Sequence, residues 1–175
     1  GCEVTCFVDQ GVVQIDTRYV ISARGDVSEG GALRFYKRSG GGMYDLEDRA
    51  RRTKTMEAFS EAQIKERAHS AVSGLGYSNG ANILASVVMA RPKLFDRIAL
   101  LHPLIPWEPE ALPAPGLSGR SVLITAGQRD PIAPWAATER LVAWFQDQGA
   151  EASLTAHAGG HEIRREELGA LQGQF

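Results

Sequence analysis

A chain of 175 residues, 43% of them hydrophobic and 23% charged, is long enough for one globular domain with a sizeable core. Nineteen basic residues against 21 acidic ones give a formal charge of −2 with no basic stripe, which argues against nucleic acid as the main partner. No run of about 18 apolar residues offers a membrane span, and the opening GCEVTCFVDQ lacks the basic and apolar pattern of a signal peptide.

Cys2 and Cys6 are the two cysteines, too few for a disulfide framework and without nearby histidine for a metal. A cytoplasmic setting is the default expectation. In chain order, residues 1 to 18 are the least legible part, with short strands suggested at Val4 to Val8 and Val12 to Ile15. YVISA, Tyr19 to Ala23, reads as a buried strand. A long glycine-rich loop follows from Arg24 to about Gly42, carrying Arg34, Phe35, Tyr36, Lys37 and Arg38. A loop of that length is a solvated excursion or a substrate-facing one, with Phe35 as the candidate substrate contact.

Asp45 and Asp48 suggest a capped, acidic start to a helix over about Leu46 to Ala68, with Ala50, Met56 and Phe59 inward. Ala71 to Gly76 reads as a strand, and a helix from Asn79 or Gly80 should end near Ala90, before Pro92. RIALL, Arg97 to Leu101, is a further buried strand. The connection from His102 to Arg120 holds five prolines that forbid regular structure, as a lid or as a passive crossover, and Trp107 is placed there at a pocket rim as a second candidate substrate contact. Then come the strand SVLITA (Ser121 to Ala126), an amphipathic helix over Pro134 to Gln148 with Leu141, Val142 and Phe145 inward, a strand over Glu151 to Thr155, and a helix from Glu162 to about Leu171. Continuous apolar strands alternating with helices predict an α/β fold, a mostly parallel sheet with helices on both faces, in a single domain spanning 1–175.

Gly76-Tyr77-Ser78-Asn79-Gly80 is a G-x-S-x-G pattern between a predicted strand and a predicted helix. At a tight strand-to-helix turn the small residues two positions either side of a serine let the chain pass close, and the hydroxyl is lifted clear of the sheet. The backbone N–H of Asn79, at the helix N-terminus, would face a developing oxyanion. Asn79-Gly80 is also a preferred hairpin-turn dipeptide. Against the hairpin, Ile83, Leu84, Val87 and Val88 share one helical face.

In parallel α/β sheets reactive groups gather beyond the carboxyl ends of the strands. Three strand ends there deliver Ser78, Asp130 and His161. An imidazole must deprotonate a serine hydroxyl, and a carboxylate must orient that imidazole. Taken singly, Asp130 before Pro131 reads as a turn residue and His161 as a helix-start residue. His157 competes for the base role, but His161 follows two glycines that can turn its ring inward. H-x-x-x-H spacing between His157 and His161 lacks a third ligand, so no metal site is expected. His69 and His102 read as core or surface residues.

GLGYSNGANILAS, LLHPLIPWEP, VLITAGQRDPI and GGHEIRREEL closely resemble the carboxylesterase/phospholipase branch of the α/β-hydrolase superfamily, near its dienelactone-hydrolase-like and acyl-protein-thioesterase-like enzymes. RGDVSEGGALRFYKR looks like that branch's loop after an early strand, so the resemblance covers about residues 19 to 172. It implies Ser78 as nucleophile, His161 as general base and acid, and Asp130 as orienting acid, in hydrolysis of a small-molecule ester or thioester without a cofactor. Neither nucleic acid nor membrane is expected as a partner, and a homodimer is compatible with the reading. Serine at position 78 departs from true dienelactone hydrolases.

Members of that branch also carry a strand ending in a His-Gly loop that donates one N–H to the oxyanion, and residues 1 to 18 contain no histidine. The expectation is therefore a divergent or truncated N-terminus, a gap beside the strand leading to Ser78, and weak turnover. Loss of one oxyanion donor costs about a hundred- to a thousandfold. A catalytically silent domain that keeps the three residues and binds a ligand is the alternative.

Overall fold

The segments AVSGLGY, RIALL and SVLITAG form three adjacent parallel strands whose interiors are almost wholly buried. The computed structural model describes residues 2–7, 19–23, 27–29, 32–34, 38–39, 43–44, 46–66 and 71–175. Its elements in order are β1 (Cys2–Phe7), β2 (Tyr19–Ser22), β3 (Val27–Glu29), β4 (Ala32–Arg34), β5 (Arg38–Ser39), β6 (Met43–Tyr44), α1 (Leu46–Lys65), β7 (Ala71–Tyr77), α2 (Asn79–Ala90), β8 (Arg97–Leu101), β9 (Ser121–Gly127), α3 (Trp135–Asp147), β10 (Glu151–His157) and α4 (Arg165–Gln174). Six strands make one sheet in the order β10-β9-β8-β7-β1-β2, and every pairing in it is parallel.

Strand periodicity sorts the core into two layers, since successive side chains leave opposite faces of a sheet. Ile98, Leu100, Val122 and Ile124 pack with Ile83, Leu84 and Val87 of α2 and with Leu141 and Phe145 of α3. Ala99, Leu101 and Leu123 pack on the opposite face with Leu171 of α4. Both faces are therefore covered, which is why these strands read as unbroken apolar runs instead of alternating ones. The expected mostly parallel sheet with helices on both faces is what the chain forms.

Several expectations are corrected. No gap lies beside β7: Cys2–Phe7 fills that place, paired in parallel with β7 from Cys2↔Ala71 to Phe7↔Gly76. The expected strand at Val12 to Ile15 lies outside the described residues. The stretch from Arg24 to Gly42 is not all loop, for β3 pairs with β4 and β5 with β6 as short antiparallel ribbons. In α1 Ala50 is exposed, while Asp48, Thr53, Met56 and Ser60 are buried. The buried stripe carries polar residues and so escapes a search for apolar periodicity. Helix α4 begins at Arg165, three residues later than expected. Glu167 folds back there to accept the Arg164 N–H at 2.5 Å, which closes the first turn.

The proline-rich segment 102–120 is pinned to the body as a crossover. Leu104 donates its N–H to Asn82 Oδ1 at 2.7 Å, Leu112 to Gln148 Oε1 at 2.6 Å, and Leu117 to the Gln148 carbonyl at 2.8 Å. Ile105 and Leu117 anchor it in the core.

Candidate active site

Ser78 occupies the single residue between β7 and α2, with φ 52° and ψ −118°. A positive φ costs a non-glycine residue roughly 1–3 kcal/mol, and the surroundings must over-determine it. They do so through two backbone bonds: Ser78 N–H donates to the Leu101 carbonyl at 2.8 Å, and the Ser78 carbonyl accepts from Asn82 at 3.0 Å. Gly76 is required by contact, since a Cβ there would stand 2.5 Å from the Gly80 carbonyl oxygen. The hairpin alternative is thereby excluded, because Asn79-Gly80 opens α2.

His161, in the loop between β10 and α4, presents Nε2 to Ser78 Oγ at 2.8 Å and Nδ1 to Asp130 Oδ2 at 2.6 Å. Its side chain is 18% exposed while that of Asp130 is fully buried, so the contact between imidazole and hydroxyl stays open to a ligand. Asp130 follows β9 and also keeps its turn role, since Oδ1 accepts the N–H groups of Ile132 at 2.8 Å and Ala133 at 3.0 Å. Burial raises its proton affinity, but the bonds from Ala133, His161, His102 and Ile132 outweigh burial and hold the carboxyl below the usual range. The three sequence candidates meet at one rim of the sheet.

His157, the competing base, turns elsewhere. Its Nδ1 accepts the Gly159 N–H at 3.0 Å, and its Nε2 faces the Glu162 carbonyl at 3.1 Å and Glu167 Oε2 at 3.4 Å. Tyr77 donates its hydroxyl to the His161 carbonyl at 2.7 Å. Burial, with Asp130 and Glu167 nearby, pushes its phenol above the ordinary value.

His102 is the residue that sequence reasoning missed. Its side chain is wholly buried, with Nδ1 3.1 Å from Asp130 Oδ2 and Nε2 2.8 Å from Glu167 Oε1. The signal was available, since His102 stands directly after β8, at the same rim as the other three. Glu167 gives no comparable signal, because REEL at the start of a helix reads as a solvated acidic turn. Among the described residues, two groups have ligand atoms within 4.8 Å of one another: His102, His157 and Glu167, and His102, Asp130 and His161. In both groups hydrogen bonds already account for the ring nitrogens, and the Gly159 N–H leaves His157 Nε2 as the protonated nitrogen.

Phe35 lies outside the described residues. Trp107 lines a cavity of about 510 Å³ together with Thr53, Lys54, Ser86 and Met89, and Arg49 stacks on its ring at 3.9 Å. None of Ser78, Asp130 and His161 lines that cavity. No helix among the described residues is long and apolar enough to cross a membrane.

No protein-family model matches the chain. It is 33% identical over 151 residues to MhqD of Bacillus subtilis (strain 168), a protein assigned to the hydrolases, across 85% of this chain and 74% of that one. The Bacillus cereus carboxylesterase structure is 30% identical over 97% of this chain and 85% of its own, with a TM-score of 0.86. The structure of Atu2452 from Agrobacterium tumefaciens (strain C58), whose function is unknown, is 41% identical over 98% of this chain and 87% of its own, with a TM-score of 0.85. Sequence identity across most of both chains, with the same sheet, makes this chain a member of the α/β-hydrolase superfamily, among its esterase-type hydrolases.

Proposed function

We propose that the chain cleaves small carboxylic esters by a serine mechanism, and the observation that carries this reading is the unbroken contact from Ser78 Oγ through the His161 ring to Asp130. In the first half-reaction His161 Nε2 takes the proton of Ser78 as Oγ attacks the ester carbonyl. Asp130 holds the other ring nitrogen protonated and balances the imidazolium. The tetrahedral oxyanion collapses to an acyl-enzyme as His161 gives its proton to the leaving alkoxide. Water, deprotonated by the same nitrogen, then attacks the acyl carbon; the bond to Ser78 Oγ breaks, Oγ takes the proton back from His161, and the acid is released.

Asn79 opens α2, so its N–H supplies one oxyanion donor at the helix N-terminus. The carboxyl end of β1, whose Phe7 pairs with Gly76, reaches the same rim and is the neighbouring source for a second. Trp107 and Phe35 are assigned to substrate contacts on sequence grounds, and ester and thioester substrates fit the same chemistry.

The test is covalent labelling with a fluorophosphonate probe, followed by peptide mapping, beside hydrolysis of a chain-length series of p-nitrophenyl esters and thioesters. Labelling at Ser78 that Ser78→Ala abolishes, with turnover reduced by about 10⁴ or more, is the expected result. A folded protein that neither labels nor turns over would favour the silent, ligand-binding alternative.

A further inference from the structure

Behind the His161 ring a second imidazole is clamped between two carboxylates. His102 contacts Asp130 Oδ2 with one nitrogen and Glu167 Oε1 with the other, and all three side chains are fully buried. A neutral imidazole has one N–H and one acceptor nitrogen, whereas a carboxylate only accepts. Two carboxylate contacts therefore need either a doubly protonated ring or a protonated acid.

Neither acid is placed to hold the proton. Asp130 already accepts two amide N–H groups on Oδ1 and His161 on Oδ2. Glu167 accepts the Arg164 N–H on Oε2 at 2.5 Å in the first turn of α4, where a helix end favours negative charge. The backbone is bent to hold this arrangement: His102 has φ 49°, and its N–H is fixed to the Thr125 carbonyl at 2.9 Å. A left-handed, non-glycine residue at a strand end is strain retained where a side chain must be aimed.

We propose that His102 is a positioning residue for the reaction at Ser78: a buried imidazolium, balanced by Glu167, that holds the Asp130 carboxylate against His161 and limits charge build-up on that ring. The proposal rests on the serine-esterase reading of the site. In the resting state Asp130 and Glu167 are negative and His102 positive, so these three carry −1 together, like a lone carboxylate. When His161 takes the proton of Ser78 its positive charge offsets theirs. The rings of His102 and His161 stand 5.2 Å apart, centre to centre, so positive charge on one opposes it on the other.

Two further rings flank His102. Tyr77 of β7 meets its ring edge-on at 5.9 Å, and His157, at the end of β10, lies at 5.5 Å. Glu162 contributes a carbonyl to His157, while its carboxylate pairs with Arg164. Burial alone would lower the proton affinity of His102, but the bonds to Glu167 and Asp130 reverse that and raise it. The same contacts outweigh burial at Glu167 and hold its carboxyl below the usual range.

The experiment is nitrogen-15 NMR of histidine-labelled protein at pH 8, with pH profiles of kcat/KM for wild type, His102→Gln and Glu167→Gln. Two protonated ring nitrogens at His102 are expected at that pH. In His102→Gln the acid limb of kcat/KM should move to higher pH because a cation beside His161 is gone, and Glu167→Gln should do the same by removing the carboxylate that keeps the His102 ring doubly protonated. kcat should fall on the order of ten- to a hundredfold while KM stays within about threefold.

A singly protonated His102, or an acid limb that stays in place while only melting temperature drops, would overturn the proposal. Should His102→Gln fail to fold, the wild-type spectrum and Glu167→Gln still decide. Protonation at His102 is read without turnover. A doubly protonated ring in a protein that never labels at Ser78 would therefore overturn the esterase reading, and the positioning role with it.

Discussion

Tyr77 grips the backbone of the residue that its own sequence neighbour must meet: its hydroxyl donates to the His161 carbonyl at 2.7 Å, while Ser78, one position on, contacts the His161 ring. One strand end thus holds the opposing loop by its main chain and addresses its side chain. Tyr77→Phe removes the grip and keeps the ring, so stability should fall by about 1 kcal/mol. kcat/KM should fall roughly tenfold through looser placement of His161. Thermal melts and ester kinetics on the variant check both, and unchanged kinetics would show that the loop needs no tether.

A Cβ added at Gly127, at the end of β9, would overlap the Gly160 carbonyl and stand 2.6 Å from that of Gly159, both backbone atoms. Gly127→Ala must therefore displace the loop that carries His161. The expected loss is about 1–3 kcal/mol of stability, with turnover reduced about a hundredfold or more. Gly76→Ala, which drives a methyl into Gly80, should weaken fluorophosphonate labelling as well, because it distorts the turn at Ser78 itself. Wild-type rates in either variant would contradict these close approaches.

Stability should peak in a mildly acidic window. The proton affinity of His102 is raised above the ordinary value of 6.5, so its contribution is complete below that pH and is lost as pH climbs through the folded value. Asp130 and Glu167 are held below their ordinary 3.8 and 4.5, so their contribution is present above those values and is lost as pH falls through the folded ones. Melting temperature should be highest between about pH 4.5 and 6.5 and decline on both sides. His102→Gln should flatten the alkaline decline, and an equal decline in the variant would trace it to other groups.

Asn82 is buried in α2 and accepts the Leu104 N–H at 2.7 Å, which ties the proline-rich crossover to the helix. Asn82→Leu keeps the bulk and leaves that N–H without its acceptor, at a cost of about 1–3 kcal/mol. Labelling at Ser78 should persist, since the bond lies on the crossover. Denaturant titration and probe labelling separate the two effects.

The buried sheet was legible because each central strand is apolar on both faces, and RIALL or SVLITAG admits few other readings. Ser78, Asp130 and His161 were legible because motif spacing and strand ends agree on them. Other features were hidden for identifiable reasons. Thr53 and Ser60 lie on the inward face of α1, so its apolar period is broken and Ala50 was turned the wrong way. Glu167 is fully buried although Arg165 and Glu166 before it are charged, since His102 after β8 and His157 at the end of β10 meet its carboxylate in space. His102 has no motif around it, and its importance lies in two carboxylates 28 and 65 residues further along the chain.

Tyr77, Leu101 and Thr125 stand side by side across three strands, and Thr125 is matched to Thr155 on the fourth. That row works as a ruler for the chemistry hung beyond it. A slip of one residue along any strand would carry its cargo about 3.3 Å and turn every side chain to the wrong face, more than the whole 2.8 Å span from imidazole to hydroxyl. Anyone transplanting this arrangement of side chains onto a new scaffold should copy the stagger of the ladder first and choose side chains second.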